Sequence, residues 1–241
     1  MQHRRAGFSL IEFVVVIAVI AIIAAIAIPN LQRAKLTANE ASALITMRAL
    51  SQAQNQVVTS PQIDSNGDGQ PEFGYFAELA GLSVTRVDSG GVVGPGGPSS
   101  KLVPNALLAA LGNVQGSVVT YGGYVFQVWL PAATAAGLTP GIPEDATGGK
   151  LTAPFPDPVN CASTWCAYGW PLALDKTGTP CYFVNEQGQI LMYTNRGAVK
   201  YTGLAGGPNF DAALSVAGNM KSAMGINGVA AVDGNLWVVV R

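Results

Sequence analysis

Gly7-Phe8-Ser9-Leu10-Ile11-Glu12, followed by sixteen apolar residues from Phe13 to Ile28, is the stretch that decides how this chain is built. Glu12 is the only charged residue between Arg5 and Arg33. Phe8 to Ile28 is 21 residues, and a helix of that length spans about 31 Å. A bilayer core is about 30 Å thick. Arg4 and Arg5 precede the stretch, so the positive-inside rule keeps residues 1–7 in the cytoplasm and places everything after Pro29 outside. A basic start, an apolar run and small residues at Ala25-Ile26-Ala27 also fit a cleaved secretory signal. The run is long for that, and Glu12 stands at its start. A plain signal anchor fits the length but gives Glu12 no purpose, although a carboxylate at membrane depth is costly and calls for a functional reason.

The hexapeptide Gly7–Glu12, the apolar helix after it and Ala24-Ala25-Ile26-Ala27-Ile28-Pro29-Asn30 together resemble the N-terminus of type IV pilins and the related pseudopilins of type II secretion. The resemblance covers residues 1 to about 55, less than a quarter of the chain. It implies a short leader cut between Gly7 and Phe8 by a prepilin peptidase, which also methylates the new N-terminal Phe8. It implies that Glu12 of one subunit pairs with the Phe8 ammonium of its neighbour, which removes two buried-charge penalties and sets axial register. A contact of Glu12 with its own Phe8 amine is the alternative in a membrane-stored monomer. Family members often carry Gly in mid-segment where this chain has Ala21, a better helix former. Pro29 removes one backbone bond and is expected to kink or interrupt the helix.

Beyond the membrane the helix is expected to run from Leu31 to about Val58. At 100° per residue, Ala34, Ala38, Ala41, Ile45 and Ala49 share one side. Leu36, Ala43, Met47, Leu50 and Val57 lie nearly opposite. Two apolar stripes need two partners. The larger-residue stripe is expected to pack on the protein's own head and the alanine-rich one on neighbouring helices, unless both lie inside one domain. Phe8 to Val58 would measure about 75 Å.

Residues 59–241 read as a globular head. Thr59 to Leu111 looks like a connecting region, with a Gly/Pro/Ser-rich loop at Ser89–Ser100 and a short helix near Pro104–Leu111. Strand-like runs follow at Val118–Leu130, Ala167–Leu174, Cys181–Asn185 and Gln189–Thr194. Ala230–Val232 and Leu236–Val240 flank Asp233-Gly234-Asn235, a hairpin signal. The expected fold is α+β: a long N-terminal α-helix packed on an antiparallel β-sheet head with long loops. Its divisions are a leader (1–7), a transmembrane and assembly helix (8–29), an amphipathic helix (30–58) and the head (59–241).

Composition narrows the function. Apolar residues make up 49% and charged residues 11%, against about 25% charged in an average soluble domain. Mean hydropathy is +0.32. The net charge of −1 offers no basic excess for a phosphate backbone, which argues against a nucleic-acid partner. The single histidine is His3, so a chain trimmed of its leader would have none. Ser-His-Asp catalysis and His-ligated metal sites are then excluded, and no enzyme motif emerges.

Cys161, Cys166 and Cys181 would lie in an oxidising periplasm. Cys161–Cys166 closes a short local loop, Cys161–Cys181 is the alternative, and Cys166–Cys181 would be out of register. An odd count leaves one thiol over. Asp64, Asn66, Asp68 and Gly69 stand at positions one, three, five and six of a calcium loop, with Glu72 at position nine. Tyr75 at position twelve supplies no bidentate carboxylate. A structural calcium here competes with a simple Asx/Gly turn; no other cofactor is expected.

Taken with the resemblance, the chain reads as a structural subunit of an extracytoplasmic type IV pilus-like filament. Its partners would be other copies or other pilins, the prepilin peptidase, inner-membrane assembly machinery and, before assembly, membrane lipid. It would start as a single-pass inner-membrane precursor with its head in the periplasm, then move to the cell surface or a periplasmic pseudopilus. A pseudopilin of type II secretion is the alternative, and a membrane-anchored periplasmic enzyme or binding protein a more distant one.

Overall fold

A computed structural model describes residues 9–59, 62–89 and 92–240. The expected α+β arrangement is the one the chain adopts. Helix α1 runs unbroken from Leu10 to Thr59, 50 residues and about 75 Å. Pro29 does not interrupt it. A proline in a helix removes one N–H bond, a loss that apolar membrane helices commonly absorb.

The amphipathic half divides as its periodicity requires. Ala43, Met47, Leu50 and Val57 are buried against the head, and Leu36 is half-buried. Ala34, Ala38, Ala41 and Ile45 remain exposed. The two stripes therefore do not share one domain interior. Burying a side chain the size of Met47 or Leu50 contributes about 1.5–3 kcal/mol, so this stripe docks the helix firmly.

The head begins with a short helix α2 (Phe76–Leu79) and a small hairpin, β1 (Arg86–Asp88) with β2 (Val93–Pro95). Part of the Ser89–Ser100 stretch expected to be loop is thus strand; Gly90 and Gly91 lie outside the described residues. The helix expected near Pro104–Leu111 is a single 3₁₀ turn, Ala109–Gly112. The main sheet has seven strands and is antiparallel throughout. β3 (Val119–Tyr121) and β5 (Gly141–Pro143) pair with one edge of β4 (Tyr124–Pro131). On the other edge follow β6 (Cys166–Pro171), β7 (Cys181–Asn185), β8 (Leu191–Tyr193) and β9 (Val238–Val239). Helix α3 (Pro158–Cys161) precedes β6 and is capped by the Asp157 carboxylate, which accepts from the Asn160 N–H.

Strand alternation sorts side chains onto two faces. Tyr124, Phe126, Val128 and Leu130 of β4, Ala167 of β6, and Tyr182 and Val184 of β7 face the core that includes α1. Val125, Cys166, Tyr168, Trp170, Cys181 and Phe183 face a second core on the opposite side. That core is closed by the C-terminal segment: Tyr201, Phe210, Leu214, Met220, Met224 and Trp237. Trp237 sits 5.6 Å from the Tyr193 ring and 6.0 Å from Tyr168. The sheet is thus sandwiched between a helix and a largely irregular layer. This is why β6 and β7 are buried along their whole length, with apolar residues on both faces.

The hairpin expected at Asp233-Gly234-Asn235 does not form. Val238–Val239 pairs with β8, while Ala230–Val232 is not a strand. The Asp233 carboxylate instead accepts from the Tyr201 hydroxyl at 2.7 Å and the Asn235 N–H at 2.9 Å, with Trp237 Nε1 at 3.2 Å. These bonds commit the turn to pinning the C-terminal layer.

Candidate functional site

The candidate site is α1 with the contacts that fix it to the head. Gly7 and Phe8, the expected processing residues, lie outside the described residues. Ser9 immediately precedes the helix, and its N–H donates to Glu12 Oε2 at 2.8 Å. Ser9-x-x-Glu12 is one half of a capping box, in which the N3 carboxylate turns back to an orphan N–H of the first turn. Glu12 is exposed on the isolated chain and makes no ion pair among the described residues. Its carboxylate therefore already faces the N-terminal end of the helix. From Leu10 to Leu31 the large apolar side chains are all exposed, Leu10 at 81% and Leu31 at 71%. Among the described residues nothing covers them, and the stretch is long and apolar enough to cross a membrane.

Three side chains fix the amphipathic half. Asn39 Nδ2 donates to the Thr177 carbonyl at 2.8 Å, and Glu40 Oε1 accepts from the Thr179 N–H at 3.0 Å. Both bonds join α1 to the turn between β6 and β7. Near the far end, Gln54 is fully buried and makes a reciprocal pair with Gly74. Its Nε2 donates to the Gly74 carbonyl at 2.8 Å and its Oε1 accepts the Gly74 N–H at 2.9 Å. The turn Gly122-Gly123, both at positive φ, passes directly over Ser42 and Asn39. A side chain at Gly123 would meet Asn39 Nδ2 at 2.8 Å. The sequence assigns no contact to Ser9, Asn39, Glu40 or Gln54. The Ser9-x-x-Glu12 spacing could have flagged the first. The others are polar residues on an amphipathic helix whose partners lie far along the chain.

The head's main ionic cluster is buried behind α2. Arg86 Nε is 3.3 Å from Glu78 Oε1, and Nη2 is 3.8 Å from Glu72 Oε2. Arg86 also donates to the Phe73 carbonyl at 2.6 Å and lies over the Tyr75 ring at 5.5 Å. Glu144 Oε1 accepts from the Ala77 and Gly149 N–H groups at 2.8 and 2.7 Å. Burial pushes the Glu144 carboxyl up to about 8.

Glu72 is the residue expected to complete a calcium loop. It faces inward, where Oε1 accepts from the Ser65 N–H at 2.7 Å and Oε2 faces Arg86. Asp64 accepts from Gly67 and Gly69, and Asp68 from Gln70, as in an Asx-rich turn. Among the described residues no three acidic, histidine or cysteine side chains cluster to hold a metal ion.

The expected disulfides are not formed: Cys161, Cys166 and Cys181 are free and buried. Cys161 lies in the helix-side core and the other two in the opposite core. Cys166 pairs across the sheet with Asn185, four residues from Cys181, about 13 Å along a strand. Burial pushes the Cys161 thiol up to about 12, which keeps it protonated and a poor nucleophile.

Residues 2–28 match a family model described as the prokaryotic N-terminal methylation motif. No curated protein and no solved structure matches the chain.

Proposed function

We propose, from the type IV pilin and pseudopilin signature that residues 2–28 carry, that this chain is a structural subunit of an extracytoplasmic type IV pilus-like filament. It acts by assembly and not by catalysis. The precursor sits in the inner membrane through the apolar half of α1, with its head on the periplasmic side. A prepilin peptidase cuts after Gly7 and methylates Phe8. The subunit then leaves the bilayer for a filament in which apolar helix packing replaces lipid.

The observation that carries this reading is the exposed surface of α1. One stripe is consumed by the head, while Leu10 to Leu31 and the stripe Ala34, Ala38, Ala41 and Ile45 have no partner among the described residues. Small residues let helices approach closely, so this second stripe suits packing on neighbouring helices. Glu12 supplies register. Once cleavage frees the Phe8 ammonium, both charges enter an apolar filament core. Leaving either unpaired costs about 3–5 kcal/mol.

Glu12→Ala tests the proposal. The variant is expected to be cleaved and membrane-inserted like the parent, but lost from fibres sheared off the cell surface. Parent-level fibre yield from Glu12→Ala would contradict the register role. Parent protein found only in short periplasmic assemblies would assign the chain to a secretion pseudopilus.

A further inference from the structure

A cleft of about 680 Å³ opens where α1 leaves its apolar stretch. Pro29, Gln32, Arg33, Lys35 and Leu36 of α1 form one wall; Asp175 and Lys176, from the turn between β6 and β7, form the other. Arg33, Lys35 and Lys176 are exposed, and no carboxylate pairs with them among the described residues. Asp175, the one acid among the described lining residues, is already answered. Arg196 Nη1 donates to its Oδ2 at 2.8 Å, Nη2 grips the other oxygen, and this pairing holds the carboxyl below its usual range. Lys200 adds further positive charge beside it. Glu40, the next acid along α1, is turned to the sheet by its bond from Thr179. The cleft is therefore cationic.

Its depth matters as much as its charge. Arg33 and Lys35 follow Ile28 by five and seven residues, about 8 and 10 Å along a helix axis. The headgroup layer extends about 5–8 Å beyond the hydrocarbon core on each side. Arg33 therefore stands at its outer edge and Lys35 just past it, and long helical side chains lean back toward the helix N-terminus and hence toward that layer. These cations sit on the side of the span opposite Arg4 and Arg5. Lys and Arg close to a span on that side oppose the orientation the leader sets, so their presence there needs a reason.

We infer that this cleft seats the phosphate of an anionic phospholipid in the leaflet from which the head emerges. The seated lipid holds the head against the bilayer in the stored monomer. The inference rests on the membrane-anchored precursor proposed above. Arg33 and Lys35 reach the phosphate from α1 and Lys176 from the head, so one lipid bridges the two parts close to the Asn39 and Glu40 bonds that already join them.

The test uses the full chain in phosphatidylcholine vesicles containing either spin-labelled phosphatidylglycerol or spin-labelled phosphatidylcholine. Flotation first establishes insertion; electron spin resonance then measures which label the protein immobilises. The parent is expected to favour the glycerol lipid several-fold. Lys176→Gln should lower that preference by up to ~fivefold, the factor for one cation near an anionic surface. Arg33→Gln/Lys35→Gln/Lys176→Gln should remove it, while Lys101→Gln, elsewhere on the head, should not change it. An inserted parent with no preference, or a triple variant that keeps it, overturns the inference alone. A chain that fails to float with the vesicles contradicts the membrane reading and the inference with it.

Discussion

At the scale of single residues, a few polar and charged side chains hold elements together. Glu12 turns back on the Ser9 N–H, Glu40 and Asn39 tie α1 to the turn after β6, and Gln54 satisfies both backbone groups of Gly74. Glu144 carries a testable consequence. Its Oε1 takes two N–H bonds, while Oε2 is buried with no hydrogen-bond partner, an arrangement suited to a protonated carboxyl. Burial raises its folded value from 4.5 to about 8. Across that interval the folded state binds more protons than the unfolded one, so stability falls as pH rises. The contribution is complete below pH 4.5 and lost by about pH 8. Glu144→Gln keeps the acceptor and removes the titration. Urea midpoints of parent and variant should therefore diverge with rising pH in the variant's favour, and parallel midpoints at all pH values would refute the assignment.

At the scale of elements, the close approach of β6 to α1 is set by Gly169. A Cβ there would lie 2.8 Å from Phe126 Cε1 and 3.3 Å from Met47 Sδ. Gly169→Val should cost about 1–3 kcal/mol of stability by overpacking, read as a lowered denaturation midpoint of the full chain in detergent. An unchanged midpoint would mean that α1 is not held where the structure places it. The stripes of α1 were legible because a helix repeats every 3.6 residues, and Ala43, Met47, Leu50 and Val57 kept that period against a single neighbour. The strands β4, β6, β7 and β8 were legible from their apolar, β-branched and aromatic runs. The Asp233-Gly234 turn was misread because its local signal is that of a hairpin. What decides it is Tyr201, 32 residues away, together with Trp237.

At the scale of the whole molecule, the chain is a head sandwiched in three layers, fixed to one end of a helix whose other half has no partner among the described residues. The third layer was invisible in the sequence. From Asn195 to Trp237 there is no regular strand or helix and hence no periodicity to detect, although Phe210, Leu214, Met220 and Met224 close a complete core there. The cysteines depart from the expected pairing for a related reason: their spacing suggests short loops, but the sheet separates Cys161 from Cys166 by placing them on opposite faces. The N-terminal motif, in contrast, was fully legible, because Glu12 in an otherwise uncharged apolar run is a local anomaly. The proposed assembly of the exposed helix begins with processing of this motif. Intact mass and N-terminal sequencing of the protein from its native membrane test it most directly. A chain beginning at N-methylated Phe8 is expected. A chain beginning at Ile28, or an uncut Met1 in a host that processes other prepilins, would contradict it.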